Sequence, residues 1–160
     1  HIVQSWDKTN LDPQKPTANI TIQVYSDAPS VELFVNDMSA GKRELHSVAP
    51  LLANGDTWAV WSVAYSPGNL TAVAYDSSGA LAAQHTRLTS GEAVKIELTI
   101  DVPSPLTGTG SALVLDGSDT ALLRASIVDA KGVVAHMASD NVTFSIISGP
   151  GRVVGAHNGD

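Results

Sequence analysis

The fold class is decided by residues 58–76, which read WAVWSVAYSPGNLTAVAYD. Apolar residues alternate with small or polar ones on both sides of Ser66-Pro67-Gly68-Asn69. A period of two is typical of β-strands that bury one face, and a Pro-Gly-Asn sequence is typical of a turn. The uncharged run between Asp56 and Asp76 is almost long enough to cross a bilayer, but its period and its central turn predict a β-hairpin instead.

Similar patterns recur along the chain and predict an all-β protein. In residues 120–130, Ala-Leu-Leu-Arg favours a helix, but Ile127-Val128 and the turn that follows favour a strand. Short strands separated by turns every 8–12 residues are typical of antiparallel sandwiches, and we predict two tandem immunoglobulin-like β-sandwich domains. The predicted strands are residues 19–25, 31–35, 58–65, 70–76, 81–88, 94–101 and 142–147.

Thr89-Ser90-Gly91-Glu92 marks the predicted domain boundary. We expect a lead-in segment at residues 1–18 that follows an absent upstream domain, a first sandwich at 19–90 and a second at 91–160. The sequences around Asp76 and Asp129 echo each other, since both read as strand, D-x-x-G turn and strand. An immunoglobulin-like sandwich needs about seven strands, so we expect the second domain to be cut short at its C-terminus.

Composition excludes several classes of function. The net charge is −7 and hydrophobic residues make up 43% of the chain, so a buried core is expected and a basic surface is absent. Nucleic acid and anionic membranes are therefore not expected as partners. The absence of cysteine removes disulfides, thiolate catalysis and zinc–thiolate sites.

The sequence predicts no catalytic, cofactor-binding or metal site. Glu32 and Glu97 lie on the polar phase of predicted strands, which is typical of solvent-exposed positions rather than of a catalytic carboxylate pair. The five histidines lack the spacing of a metal motif. Residues 116–119, Asp-Gly-Ser-Asp, offer only two carboxylates for calcium and are more typical of a turn.

Other candidate residues are aromatic or lie in glycosylation sequons. We expect Trp61 in the core, and Trp6 and Trp58 as candidate exposed aromatic contacts, where a flat ring face could stack on a sugar. The sequons at Asn19, Asn69 and Asn141 are candidate N-glycosylation sites, with Asn69 placed at a hairpin tip. They favour an extracellular or secretory location if the source is a eukaryote.

Two ordered motifs resemble the accessory β-domains of glycoside hydrolase family 2. The first combines VELFVN at residues 31–36 with WSVAYSPGNLTAVAYD at 61–76, and the second combines VDAKGVV at 128–134 with SDNVTF at 139–144. The N-terminal HIVQSWD also resembles the segment that follows the catalytic barrel in that family. Asp37 departs from the pattern, which has Gly after Asn36, and Ser5 stands where His is usual.

The resemblance implies a non-catalytic part of a β-galactosidase-like hydrolase. The family's catalytic glutamates lie on a (β/α)₈ barrel upstream of these domains, so no catalytic residue is carried over. The implied partner is the catalytic barrel of the parent protein, and carbohydrate is a further candidate partner. The alternatives are an immunoglobulin-like structural or adhesion module and a carbohydrate-binding module, the latter if Trp6 and Trp58 are exposed together.

Overall fold

The computed structural model describes residues 1–8, 19–45, 57–100 and 120–157, and its regular elements are strands. The all-β prediction is confirmed. Among the described residues, no helix is long and apolar enough to span a bilayer. The eight described strands are β1 (Asn19–Tyr25), β2 (Ser30–Val35), β3 (Met38–Glu44), β4 (Trp58–Ala64), β5 (Asn69–Tyr75), β6 (Leu81–Leu88), β7 (Lys95–Ile100) and β8 (Leu123–Val128).

The first unit consists of two sheets packed around one core. Strands β1 and β4 pair antiparallel in one sheet, and the other sheet has the order β3-β2-β5-β6. Their inward residues alternate along each strand, as in Ile20, Ile22 and Val24 of β1. We call the sheet that contains β1 and β4 the small sheet.

Residues 1–8 pack on the first unit. The N–H of Val3 donates to the carbonyl of Gln23 at 3.0 Å, and Ile2 forms a bridge with Val24, so this segment extends the small sheet beside β1. Ile2 and Trp6 are fully buried in the same core as β1 and β4. Residues 1–8, the described part of the predicted lead-in, therefore contribute to the core of the first unit.

Residues 58–76 form two strands that belong to different sheets. β4 pairs with β1, whereas β5 pairs with β2 and β6. The prediction of a hairpin here is wrong, although both strands are present. The Ser66–Asn69 turn carries the chain from one sheet to the other, which is how one alternating segment supplies inward residues to both sides of the core.

β3 is a strand that the sequence analysis did not predict. Its sequence, MSAGKRE, has low strand propensity and most of its side chains are exposed. It forms because the turn at Asn36-Asp37 folds it back antiparallel onto β2, in a register that pairs Val35 with Met38. Both turn residues have a positive φ, of 48° and 65°, as a two-residue type I′ hairpin requires.

The described part of the second unit is built on the antiparallel pair β7–β8. The preference for a strand over a helix in residues 120–130 is confirmed by β8. The strand predicted at residues 142–147 is wrong, since the structure gives these residues no regular element. Every residue of β7 is exposed, and Ile147 is 98% exposed, so the apolar pattern there has no partner sheet in the described structure.

Candidate functional site

The side chain of Asn36 locks two turns of the first unit together. Its Nδ2 donates to the Ser66 hydroxyl at 2.9 Å and to the Pro67 carbonyl at 3.1 Å, and its Oδ1 accepts the Asn69 N–H at 2.9 Å. Gly68 has a φ of +136°, and a Cβ there would lie 1.9 Å from the Asn36 Oδ1. The β2–β3 turn and the crossover between sheets are thus one hydrogen-bonded unit, which we call the turn lock (Asn36, Asp37 and residues 66–69).

Asp37 is accommodated in the turn lock by a hydrogen bond. An aspartate with positive φ is less strained than most residues but still disfavoured relative to glycine. Its carboxylate accepts a hydrogen bond from the Asn69 Nδ2 at 3.1 Å. This contact offers a reason why Asp is tolerated where the resembling family has Gly.

The sequon residue Asn69 lies in a different setting from the one predicted. It is the first residue of β5 rather than a hairpin tip, it is half-buried, and its Oδ1 is buried without a hydrogen-bond partner. A glycan on the Asn69 Nδ2 would compete with the bond to Asp37. Asn19 and Asn141 are exposed, and glycosylation at all three sites stays a prediction.

A cleft of about 340 Å³ separates the turn lock from the second unit. Its lining includes Asn36, Asp37 and Asn69 of the first unit and Lys131 and Val133 of the second. The first unit thus contributes a carboxylate and two amides to the lining, and Lys131 contributes an ammonium. The cleft thus brings Asp37 and Lys131, which are distant in sequence, to the same junction.

Two aspartates bind the linker between the two units, which is residues 89–92. Asp7 is buried, and one of its carboxylate oxygens accepts from both the N–H and the hydroxyl of Ser90 at 3.2 Å. The next residue, Gly91, donates its N–H to the Asp129 carboxylate at 2.8 Å. Consecutive linker residues are therefore bound from the first unit on one side and from the second on the other.

The turns at Asp76 and Asp129 share one geometry, which agrees with the echo seen in the sequence. Asp76 accepts the N–H groups of Ser78 and Ala80 at 2.8 and 3.0 Å, and Asp129 accepts those of Lys131 and Val133 at 2.8 and 2.9 Å. The glycine of each turn has nearly the same φ, 81° and 82°. Asp129 differs in using its second oxygen to bind the linker.

Hydrogen bonds lower the pKa of both turn aspartates. For Asp76 the hydroxyl of Ser78 contributes most, followed by the backbone N–H of Ala80. For Asp129 the largest cause is the Gly91 N–H, followed by that of Val133. Donors that bind the ionised carboxylate favour the charged form, so both side chains are anionic at neutral pH.

The three tryptophans have three different environments. Trp61 is buried and donates its indole N–H to the Gly41 carbonyl at 2.9 Å, which confirms the core prediction. Trp6 is fully buried, so its prediction as an exposed contact is wrong. Its indole N–H donates to the Ser66 carbonyl at 2.9 Å, and its ring lies 5.0 Å from that of Tyr65, which leaves no ring face free for a ligand.

Trp58 is exposed, but its neighbour is Tyr25 rather than Trp6. Trp58 is 39% exposed and Tyr25 is 47% exposed, and the two residues are paired across β4 and β1. Their ring centroids are 6.4 Å apart with an interplanar angle of 33°. We call this pair the aromatic platform.

The described residues do not form a catalytic carboxylate pair. Glu32 accepts from the Ser39 hydroxyl at 2.5 Å and from the Tyr75 hydroxyl at 3.3 Å, which is a cross-strand network on the sheet surface. Glu44, Glu92 and Glu97 are exposed. The predicted absence of a calcium site at residues 116–119 concerns residues outside those described. Within the described ranges, no group of three His, Cys, Asp or Glu residues could hold a metal ion.

One histidine has a structural role that the sequence did not reveal. The Nδ1 of His85 accepts the Ile2 N–H at 3.1 Å, which requires a neutral ring protonated on Nε2. Burial lowers the pKa of His85, and the nearby Arg87 guanidinium lowers it further. Arg87 also donates to the Ile2 carbonyl at 3.2 Å, so β6 holds both polar groups of the Ile2 backbone.

Comparison with known proteins matches each half of the chain to a described family. Residues 105–160 match the family described as glycoside hydrolase family 2 C-terminal domain 5. Residues 18–83 match a domain of unknown function, DUF4982. The chain corresponds to the C-terminal accessory region of glycoside hydrolase family 2 proteins.

Its relatives in family 2 are much longer hydrolases. The chain is 30% identical over 138 residues to a beta-galactosidase of Bacteroides ovatus and 32% identical over 158 residues to a beta-glucuronidase of Formosa agariphila. These matches cover 85% and 99% of this chain but only 14% of each relative. A crystal structure of a family 2 member from Bacteroides cellulosilyticus is 31% identical with a TM-score of 0.60, covering 82% of this chain and 16% of that one.

These findings bear on the site in two ways. They agree with the resemblance seen in the two ordered motifs, and they place the chain in a non-catalytic part of a glycoside hydrolase. The described residues accordingly offer interlocked turns, a clamped linker and an exposed aromatic platform.

Proposed function

We propose that this chain is an accessory β-domain portion of a β-galactosidase-like hydrolase, and that it packs on or shapes the cleft of a catalytic barrel in the parent protein. The observation that carries the proposal is the match of residues 105–160 to a family 2 C-terminal domain, which follows the match of residues 18–83 to DUF4982, in a chain that spans 14% of its hydrolase relatives. The chain supplies no reacting group in this proposal.

The physical contribution of such a part is a fixed geometry. Trp6, Thr89 and the turn lock connect three segments: the Thr89 hydroxyl donates to the Trp6 carbonyl at 2.8 Å and accepts the Gly68 N–H at 3.2 Å. Asp7 and Asp129 then fix the linker. A scaffold that loses little conformational freedom on docking can hold a neighbouring domain with a modest interface.

The two relatives are named for different sugars, a beta-galactosidase and a beta-glucuronidase, so an assay on both substrates distinguishes the two activities. We propose β-galactoside hydrolysis on the strength of the motif resemblance. The parent protein should hydrolyse p-nitrophenyl β-galactoside, and p-nitrophenyl β-glucuronide is the matched comparison substrate.

The decisive experiment compares three proteins on both substrates: the full-length parent, the parent without residues 1–160, and the 160-residue chain. We expect turnover by the parent, reduced turnover or solubility after the deletion, and no turnover by the chain. Hydrolysis by the chain alone would contradict a non-catalytic role. A parent gene without a barrel would instead favour the immunoglobulin-like structural or adhesion module.

We also propose that the parent is exported, with Asn19 and Asn141 as the accessible sequons. Treatment of the native protein with an N-glycosidase should then lower its mass. An unchanged mass would remove the argument for glycosylation.

A further inference from the structure

Residues 1–3 lie between the small sheet and β6, the edge strand of the other sheet, and we call this junction the seam. On one flank, backbone hydrogen bonds join His1 and Val3 to β1. On the other flank, both polar groups of the Ile2 backbone bind side chains of β6. The segment thus closes one edge of the sandwich with backbone bonds on the first flank and two side-chain bonds on the second.

The bond between His85 and Ile2 depends on the protonation state of the imidazole. The His85 Nδ1 accepts the Ile2 N–H at 3.1 Å, so the ring is neutral and carries its proton on Nε2. A protonated ring has no lone pair on Nδ1 and would turn an N–H towards the Ile2 N–H, so this bond is lost. The bond from Arg87 to the Ile2 carbonyl, at 3.2 Å, would then hold the β6 flank alone.

The groups around His85 oppose its protonation while the seam is closed. The His1 ring lies 4.5 Å from the His85 ring between centroids, and β5 places the neutral Ala72 opposite His85. Burial, the Arg87 guanidinium and the His1 ammonium lower the pKa of His85. Among the described residues, the acidic group that acts at the seam is Asp27, and its charge raises the pKa of the His1 ammonium.

We propose that His85 is a pH-sensitive latch, whose neutral ring keeps the seam closed and whose protonation opens it. A histidine that is free of the seam has a pKa of about 6.5, and it binds a proton more readily than His85 does in the closed seam. The closed seam therefore has its full stability above that pH and loses stability as the pH falls below it. The ratio of open to closed seam should rise up to about tenfold per pH unit, until the closed form is itself protonated.

A second anchor at Trp6 limits the opening to residues 1–5. The Trp6 indole N–H donates to the Ser66 carbonyl, and the Trp6 carbonyl accepts from the Thr89 hydroxyl. None of these groups titrates near neutral pH. Opening would uncover a cavity of about 250 Å³, which is lined by both imidazoles and by apolar side chains of β1, β2 and β5. The latch belongs to the fold of this chain, so it does not depend on the activity of the parent.

The test is an NMR titration of the ¹⁵N-labelled 160-residue chain from pH 8 to pH 5. At the alkaline end, the imidazole nitrogens of His85 should show the Nε2–H tautomer. On acidification, we expect the Ile2 amide to lose its hydrogen bond with the same midpoint as the His85 ring, below a pH of about 6.5. Nuclear Overhauser contacts between the His1 and His85 rings should disappear over the same range.

Three matched chains isolate the contribution of His85. His85→Gln keeps an acceptor oxygen but cannot ionise, so its Ile2 amide should not respond to pH in this range. His136→Gln is the control, because His136 is exposed in the second unit, and its Ile2 amide should titrate as in the wild type. A chain acetylated at its N-terminus lacks the terminal amine, whose pKa is lowered by burial, and should keep the response of the Ile2 amide.

Three results would overturn the proposal. One is an Nδ1–H tautomer of His85 at the alkaline end of the titration. Another is an Ile2 amide that does not change as the His85 ring of the wild type titrates. The third is an Ile2 response that persists in His85→Gln with native circular dichroism. The first two results need no variant, so they stay decisive even when His85→Gln does not fold.

Discussion

At the scale of the residue, burial separates tryptophans that the sequence leaves alike. Trp61 is predictable, because its position on the apolar phase of β4 places it inward. Trp6 has no periodic pattern around it, and its burial depends on Ser66 and Tyr65, about 60 positions away. Local sequence cannot reveal such contacts, so the expectation of an exposed Trp6 failed while that for Trp58 held.

The difference in burial between Trp6 and Trp58 is directly testable. Trp6→Ala removes a fully buried ring and its hydrogen bond, so we expect a loss of about 3–5 kcal/mol in the free energy of unfolding. Trp58→Ala removes a ring that is 39% exposed, and we expect a loss of about 1 kcal/mol or less. Urea unfolding of both variants measures the difference, and equal losses would contradict the assignment.

Gly68 tests the turn lock. In Gly68→Ala, the new Cβ meets the Asn36 Oδ1 at 1.9 Å in a backbone with φ of +136°, and we expect a loss of about 2–4 kcal/mol. Gly79→Ala is the control, because its φ is also positive but no atom lies within 4 Å of the added Cβ; we expect about 1 kcal/mol there.

A double-mutant cycle tests whether the Asn36 side chain is what the added methyl group of Gly68→Ala collides with. In an Asn36→Ala background, Gly68→Ala should cost less than in the wild type, because the clashing amide is gone and only the strain of an alanine at a φ of +136° remains. Thermal or urea unfolding of the single and double variants gives the coupling energy. Strictly additive losses would show that the two turns are not locked by this side chain.

At the scale of the element, the alternating pattern predicts most strands but not their partners. Strands β1, β2, β4, β5, β6 and β7 follow from period-two sequences. β3 escapes prediction because its exposed residues form a strand only through the turn at Asn36-Asp37. The change of sheet between β4 and β5 is not predicted either, because a Pro-Gly-Asn turn has the same sequence whether it closes a hairpin or joins two sheets.

The paired D-x-x-G turns predict how stability depends on acid. The pKa of Asp76 and that of Asp129 are lowered in the folded state, so each stabilises the fold above the pKa of the unfolded chain, near 3.9, and this contribution is lost as the pH falls further. We expect the free energy of unfolding to decrease from pH 5 to pH 3.

Replacing both aspartates by asparagine separates their contribution to the acid sensitivity of the fold from that of the other acidic groups. The Asp76→Asn, Asp129→Asn double variant keeps an acceptor oxygen but cannot ionise, so its unfolding free energy should change less between pH 5 and pH 3. Urea unfolding at several pH values is the measurement. A slope equal to that of the wild type would mean that these turns do not contribute to the acid sensitivity.

At the scale of the whole molecule, the linker contacts connect the two units. Sequence composition around residues 89–92 predicts the position of the boundary, and the structure adds that Asp7 and Asp129 bind consecutive residues there. The hydrogen-bond acceptors of the linker could not be predicted from the sequence. A carboxylate in a turn, such as that of Asp129, has no sequence feature that points to a backbone N–H 38 positions away.

Hydrogen exchange tests the clamp with a matched pair of variants. Asp129→Ala removes both the turn contacts and the acceptor for the Gly91 N–H, whereas Asp76→Ala removes only the equivalent turn contacts. We expect the Gly91 amide to exchange at least tenfold faster in Asp129→Ala and to be unaffected by Asp76→Ala. An unchanged Gly91 rate in Asp129→Ala would show that the carboxylate does not hold the linker.

The central claim is that this chain is an accessory part of a larger hydrolase. The most direct test is the intact mass of the protein isolated from its native source, measured first after denaturation and then under native conditions. The account predicts a polypeptide far heavier than 16.6 kDa, or a tightly held partner of the size of a catalytic barrel. A single species of about 16.6 kDa, alone under native conditions, would contradict it.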